Sequence, residues 1–260
     1  MSLFGSFIDC HCHAFWDCDD GVRTEEDALA LIRCAQETGI SEIFVTPHLI
    51  SGGLYEPDLT LIKEKLENLI QSRDKHGLML QLKYASEFRI NSLCFDAIDS
   101  KKYICYQNTD WLLIEFTRGI LDSKIVENAI FALKKHGLKL LIAHPERYFD
   151  SEKQAVDVCK RWQNMGCCFQ INRTSLNGYH GERADKIAWR LVSEELAHIV
   201  ASDAHQGEGR RECRLDDVYG MIYRRFGKIT ADTLCIVNPK RLSMNQDLIN
   251  VQINRVWYKR

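Results

Sequence analysis

Nine side chains stand out in this sequence as candidate ligands for divalent metal ions: His11, His13, Asp20, His48, Glu87, Glu115, His144, Asp203 and His205. All donate through nitrogen or oxygen, and no thiolate is needed. The set opens in Phe7-Ile8-Asp9-Cys10-His11-Cys12-His13, which reads as a short apolar strand. His11 and His13 stand two apart, so a strand would send both imidazoles from one face. A cluster of three carboxylates follows, Asp17, Asp19 and Asp20, and ends at Gly21. Asp20 is expected to ligate and Asp17 and Asp19 to shape the loop. Asp9 is expected to orient a ligand imidazole from behind.

Each of the nine has an ordinary structural use when taken singly, such as a buried ion pair for Glu87 or Glu115 and a cap for Asp203. Together at one end of a sheet they would carry several kcal/mol of cost per unpaired charge, which cations remove. So many nitrogen and oxygen donors suit two or three ions better than one. Manganese, iron or zinc fit the mixture, and magnesium fits less well. Sites of this kind hydrolyse phosphate esters, with ions about 4 Å apart holding a hydroxide nucleophile and stabilising the transferring phosphoryl group. Cationic side chains should hold the non-bridging oxygens. Arg147, in His144-Pro145-Glu146-Arg147, and the Arg210-Arg211 pair beyond His205 are placed for that. Cysteine-based phosphatase chemistry is not expected.

The elements that position these residues repeat one pattern. Strands are expected over Phe7–Cys12, Glu42–Thr46, Leu80–Ala85, Trp111–Ile114, Lys139–Ala143, Cys167–Ile171 and His198–Ala201. Each ends at or just before one of the nine donors or, after Ile171, at Asn172. Between them lie helical stretches. One starts at the capping box Thr24-Glu25-Glu26-Asp27, and others cover Asp58–His76, Ser123–His136, Glu152–Met165 and Arg183–Glu194. Leu215–Phe226 and Ala231–Val237 complete the helical set, and Asn91–Asn108 has no clear pattern. Seven apolar strands alternating with helices imply a parallel sheet buried on both faces. Polar residues at strand C-termini are where a closed β/α barrel places its active site.

At 260 residues the chain fits one such domain, since these barrels run to roughly 200–250 residues. No linker divides it, and 1–260 is expected to be a single domain. Residues 244–260 form a tail whose alternation suits either an extra strand or an interface. With 34 basic and 36 acidic residues well mixed, it shows no footprint for nucleic acid or an anionic membrane. Its 11 cysteines match neither a zinc ribbon nor a disulfide framework, and several, such as Cys34, Cys159 and Cys235, lie in apolar runs as small hydrophobes. Reduced thiols in a cytoplasmic protein are expected. No signal-peptide pattern opens the sequence, and no apolar run is long enough to span a bilayer. Of the remaining histidines, His76 and His136 precede helix-ending glycines, while His180 and His198 are expected to be solvated.

Asp9-Cys10-His11-Cys12-His13, Thr46-Pro47-His48, Glu87, His144-Pro145-Glu146-Arg147 and Ser202-Asp203-Ala204-His205 resemble the PHP (polymerase and histidinol phosphatase) superfamily. More narrowly, the chain resembles its bacterial capsule-type, metal-dependent protein tyrosine phosphatases. That match rests on Phe15-Trp16-Asp17-Cys18-Asp19-Asp20-Gly21, Leu113-Ile114-Glu115-Phe116, His144-Pro145-Glu146-Arg147-Tyr148 and the Gly209-Arg210 step. It covers Ile8 to about Ser243.

The resemblance implies a distorted seven-stranded (β/α)7 TIM-like barrel with a trinuclear site, usually manganese. His11, His13, Glu87 and Asp203 would hold one ion, and Glu87 would bridge to a second completed by Glu115 and His144. Asp20, His48 and His205 would hold the third. Arg147 and Arg210 match the phosphate-clamp arginines, and Asp203 joins them among the catalytic residues. The implied substrate is phosphotyrosine on bacterial tyrosine kinases that control capsule and exopolysaccharide assembly. Cysteines around His11, Ala85-Ser86 before Glu87 and Pro47 before His48 depart from the common pattern without removing a ligand. Phe15 and Trp16 are expected to wall the entry beside an aryl group. The alternatives are a phosphatase for a small ester such as histidinol phosphate, and a non-catalytic metal-binding regulator.

Overall fold

The computed structural model describes residues 6–117 and 123–253. Its strands are β1 (Phe7–Cys12), β2 (Ile40–Val45), β3 (His48–Leu49), β4 (Gln81–Tyr84), β5 (Glu87–Ile90), β6 (Trp111–Phe116), β7 (Lys139–Ala143), β8 (Cys167–Asn172) and β9 (Ile199–Ala201). The α-helices are α1 (Glu25–Glu37), α2 (Leu59–Lys75), α3 (Cys94–Asp99), α4 (Ser123–Lys135), α5 (Glu152–Asn164), α6 (Arg173–Leu176), α7 (Glu182–Ser193), α8 (Asp216–Phe226), α9 (Lys228–Asp232) and α10 (Asn238–Ser243).

The fold is α/β with parallel strands. They pair as two sheets, β1-β2-β4 and β3-β5-β6-β7-β8-β9. Two expected strands are each followed by a further strand segment, and each break sits beside a candidate ligand. Pro47 has no N–H to give the ladder, so β2 stops at Val45 and pairing resumes as β3 at His48. Between β4 and β5, Ser86 instead donates to Ile104 O at 3.2 Å, and Glu87 donates to Pro47 O at 2.9 Å. His48 and Glu87 therefore begin new strand segments instead of ending old ones. They are paired with each other across the β3–β5 ladder. At the far edges, Asp203 N–H donates to His11 O and His13 N–H to Ala204 O, both at 2.9 Å, and Cys12 bridges Ala204.

Alternate residues of the strands enter two apolar clusters, as a period of two requires. Ile43, Val45, Leu112, Ile114, Leu140, Ile142 and Val200 pack with the helices. Phe44, Leu113, Leu141, Ala143, Ile199 and Ala201 form a second cluster with Cys10, Tyr106 and Leu242. Polar residues continue this inner row toward the strand C-termini: Glu115 two beyond Leu113, Gln170 and Asn172 two and four beyond Cys168. The apolar cluster thus floors the polar one.

Among the described residues, the segment after α10 is not a strand. Trp111 Nε1 donates to Gln246 O, Lys139 Nζ donates to Asn245 O and pairs with Asp247, and Asn238 Nδ2 donates to Ile249 O. Val251 and Ile253 are buried. The segment closes the amino-terminal ends of β6, β7 and β9, opposite the ligands. Residues 254–260, with the Val256 of the expected alternation, lie outside the described residues.

His198, expected in solvent, is buried under this segment. Its Nδ1 accepts the Phe169 N–H and its Nε2–H donates to Asn250 Oδ1, both at 3.2 Å. Burial pushes its pKa down to about 4. The unfolded chain would titrate there near 6.5, so between these values it binds a proton that the folded chain refuses. Stability is unaffected above that window and falls as pH drops through it, by about 3 kcal/mol at its acid end. His198→Gln should flatten the pH dependence of unfolding by up to about 1.4 kcal/mol per pH unit. Urea titrations between pH 4.5 and 6.5 measure it. Parallel curves for both proteins would show that this ring is not linked to folding.

Candidate metal centre

β1 is not a regular strand where it matters. Its register against β2 runs Asp9↔Ile43 and then Cys12↔Val45, so three residues oppose two and the strand bulges. The bulge puts Cys10, His11 and His13 on the inner side and leaves Asp9 and Cys12 outside with Cys213. Asp9 therefore does not orient an imidazole. Its carboxylate accepts from Ser202 Oγ, from the Ser202 N–H at 3.0 Å and from Cys213 Sγ at 3.2 Å.

The inner histidines meet two carboxylates at the centre. His11 Nε2 and His13 Nε2 stand 3.1 Å apart. Glu87 Oε2 lies 3.4 and 3.5 Å from them, and Asp203 Oδ1 lies 3.7 and 3.5 Å away. Donors about 2.1 Å from a shared ion stand about 3.0 Å apart at octahedral angles and about 3.4 Å at tetrahedral ones. The contacts of His11 and His13 with each other and with the two carboxylates, 3.1 to 3.7 Å, lie close to that spacing.

The remaining donors surround this group. His144 Nε2 is 2.7 Å from Glu87 Oε1. His48 Nδ1 lies 2.9 Å from Glu87 Oε2 and 3.0 Å from Glu115 Oε1, yet has hydrogen-bond alignment with neither. His48 Nε2 and His205 Nε2 face Asp20 Oδ1 at 3.2 and 3.6 Å. All nine predicted ligands are brought together, and every one but Asp20 is buried. Among the nine, the groups whose donor atoms all lie within 4.8 Å of one another are His11-His13-Asp203, His11-Glu87-His144, His48-Glu87-Glu115 and His13-Asp20-His48-His205. These put His48 beside Glu87 and Glu115 as well as beside Asp20, which the resemblance did not imply.

Charges here are mutually dependent. Burial lowers the basicity of His11, but the carboxylates of Glu87 and Asp203 outweigh it and raise the ring to about 9. His13 falls to about 4 because of burial and the neighbouring His205. Burial opposes ionisation of Glu87 and Asp203, but the imidazoles, and for Asp203 also Arg211 and Arg147, hold both carboxyls well below the usual range.

The rings are also fixed from behind. His11 Nδ1 contacts Gln170 Oε1 at 3.0 Å, His13 Nδ1 contacts Asp19 Oδ2 at 2.6 Å, and His205 Nδ1 contacts Asp203 O at 3.1 Å. Each acceptor requires a proton on Nδ1, so Nε2 is the nitrogen that each ring would offer to an ion. Gln170 Nε2 donates to Asn172 Oδ1, and Asn172 Nδ2 donates to Asp203 Oδ2, so one amide chain aligns two ligands. Asp19 thus has the role expected of Asp9. Gly21 packs against His13, where a Cβ would lie 2.4 Å from the His13 carbonyl oxygen. His144 and Asp203 both have left-handed backbones, φ 34° and 51°, at a cost of about 1–2 kcal/mol each.

Above the cluster is a cavity of about 440 Å³ lined by Asp20, His48, Glu87, Glu115, His144, Asp203 and His205, with Phe116, Thr117 and the arginines Arg89, Arg147 and Arg211. Arg147 Nη1 donates to Asp203 Oδ2 at 3.0 Å and Arg211 Nη2 to Asp203 Oδ1 at 3.0 Å. Arg210 does not line the cavity and lies over the Tyr179 ring, 5.7 Å from its centroid. Arg89, absent from the expectations, donates from Nε to Glu115 Oε1 at 2.7 Å. It stands two after Glu87 in β5, so strand parity could have revealed it. Phe15 is buried in the outer core and Trp16 packs beside it under Lys65, so neither walls this cavity. Among the lining residues the aromatic wall is Phe116. His180 is half-buried, and burial together with Arg147 lowers its ring to about 4.

No cysteine lines the cavity. Cys167 precedes Arg173 by the spacing of a cysteine phosphatase, but it lies along a strand and burial raises its thiol to about 12. All 11 cysteines are free, with Cys34 half-buried and Cys159 and Cys235 buried.

The donor set fits divalent ions: oriented imidazole lone pairs, ionised carboxylates and a His48 nitrogen without a hydrogen-bond partner converge. A family model described as capsular polysaccharide synthesis, CpsB/CapC, matches residues 7–244. The chain belongs to the CpsB/CapC family. The CpsB/CapC match spans all nine ligand candidates and all of the cavity arginines. Among curated relatives, "Tyrosine-protein phosphatase CpsB" of Streptococcus agalactiae serotype III is 32% identical over 244 residues, 92% of this chain and 98% of that protein. "Tyrosine-protein phosphatase YwqE" of Bacillus subtilis is 28% identical over 85% of each. A crystal structure from work on YwqE of Bacillus subtilis and CpsB of Streptococcus pneumoniae, described as unique metal-dependent tyrosine phosphatases, superposes with a TM-score of 0.85. It is 27% identical, covering 95% of this chain and 98% of that one. No helix among the described residues is long and apolar enough to cross a membrane.

Proposed function

We propose that this CpsB/CapC chain is a metal-dependent protein-tyrosine phosphatase, a phosphoric monoester hydrolase that acts on an autophosphorylated bacterial tyrosine kinase in capsule or exopolysaccharide synthesis. The observation that carries the reading is that His11 and His13 meet Glu87 and Asp203, and that these two carboxylates line one cavity with Arg147 and Arg211. The relatives named tyrosine-protein phosphatases support the substrate class. In this reading His11, His13, Glu87 and Asp203 would hold one ion, Glu87, Glu115 and His144 a second, and Asp20, His48 and His205 a third. Manganese is the preferred ion. When bound, such ions lower the pKa of a coordinated water and neutralise phosphoryl charge.

The chain's own residues then bind and orient the ester. Arg147 and Arg211 hold the non-bridging oxygens. Phe116 packs against the aryl ring. A phenolate leaving group has a pKa near 10, so the site needs less acid assistance than it would for an alkoxide. The fold is read as a distorted seven-stranded barrel, with β2–β3 and β4–β5 each counted once and β9 meeting β1 at Ala204. We also read the chain as one domain, its closing segment as the barrel's plug, and its free thiols as those of a cytoplasmic protein.

Substrate comparison tests this. Manganese-loaded protein should show a kcat/KM for a phosphotyrosine peptide at least about 100-fold above that for histidinol phosphate, about 3 kcal/mol of discrimination. The reverse order would assign the site to a small alkyl ester, and no turnover of either would leave a metal-binding regulator.

A further inference from the structure

The arginine that enters the cavity beyond His205 is Arg211, and its backbone is held by a residue outside the cavity. Arg173 opens α6 directly after β8, and its side chain is 3% exposed. Its Nε donates to Asp217 Oδ1 and Oδ2 at 3.1 and 2.9 Å. Its Nη2 pairs with Asp217 Oδ2 at 2.7 Å and Glu212 Oε1 at 3.2 Å. The remaining nitrogen, Nη1, donates to Arg210 O at 3.2 Å and Glu212 O at 3.3 Å. These carbonyls flank Arg211. The Arg211 carbonyl accepts from the His205 and Gln206 N–H groups at 3.0 and 3.2 Å. Three consecutive carbonyls are therefore fastened, which fixes the direction in which the Arg211 side chain leaves the main chain.

A buried guanidinium loses much hydration, and Arg173 regains it partly from two carboxylates and partly from main chain on both sides of one arginine. An ion pair serving stability alone would not need those two carbonyls. We propose that Arg173 is a positioning residue for phosphate binding. It pre-aims the Arg211 guanidinium at the phosphoryl oxygens above Asp203, a role that rests on reading the cavity as a phosphate-monoester site. Preorganisation of this kind lowers the cost of ordering a long side chain on binding. A lysine at 173 keeps the charge but cannot span Asp217 and both carbonyls.

The test is a double-mutant cycle on metal-loaded protein, read first as affinity for inorganic phosphate by calorimetry and then as KM and kcat on a phosphotyrosine peptide. Arg211→Ala should weaken phosphate binding ~10- to 100-fold. Arg173→Lys should weaken it ~10-fold, raise KM more than it lowers kcat, and add nothing further in the Arg211→Ala background. Thermal unfolding confirms that each variant is folded. If Arg173→Lys is not, Asp217→Asn, which removes the carboxylate gripping Arg173 Nε, completes the same cycle. Full additivity of the two substitutions, or no phosphate effect from either, would overturn the proposal. The calorimetric cycle needs no turnover, so failure of the phosphatase reading would show separately, as phosphate binding without peptide hydrolysis.

Discussion

Glu87→Gln is expected to abolish turnover and deplete the protein of metal. Glu87 Oε1 and Oε2 lie within 3.5 Å of His11, His13, His48 and His144, more imidazoles than any other carboxylate reaches here. Replacing one oxygen by an NH₂ removes the charge that the ions share and leaves a donor facing imidazole nitrogens. Loss of several kcal/mol of transition-state stabilisation corresponds to at least about a thousand-fold in rate. Elemental analysis beside a phosphotyrosine assay decides this. A variant with an unchanged metal count would show that Glu87 is not a ligand, whatever its activity.

Arg147→Ala should lower kcat by about 100- to 1,000-fold, the range for removing one preorganised donor from a developing anion. Here metal content should survive. Arg147 Nη1 reaches Asp203 Oδ2, whereas the oxygen facing His11 and His13 is Oδ1, and Asn172 Nδ2 still holds Oδ2 at 2.6 Å. The two substitutions therefore separate ligands from phosphate-binding groups. If Arg147→Ala sheds metal as Glu87→Gln does, its task is to hold Asp203, not substrate.

The cluster of candidate ligands was legible because its members recur near one position in a repeated strand–helix pattern. Orientation was less legible. His11 and His13 do share a face, but only beyond a bulge that strict alternation across Asp9 and His11 does not anticipate, so Asp9 was assigned the place that Asp19 holds. Gln170, inside the expected strand, and Asn172, at its end, became informative only when β8 was seen to face His11 and Asp203. Arg210 and Arg211 are adjacent and chemically alike. Main-chain bonds from Arg173, His205 and Gln206 select which one points inward, and those bonds span long stretches of chain. Phe15 was misplaced for a simpler reason: an aromatic after a ligand strand packs as readily behind the sheet as in front of it. The strand breaks at Pro47 and Ala85-Ser86 altered boundaries without moving a candidate ligand.

Bound divalent ions and these residues are proposed to hydrolyse phosphotyrosine together. Turnover of a phosphotyrosine peptide by purified protein decides this when assayed with manganese and after chelation, with metal content measured in the same samples. Activity should vanish in step with metal loss and return when manganese is restored. Undiminished turnover by protein shown to be metal-free would contradict the account.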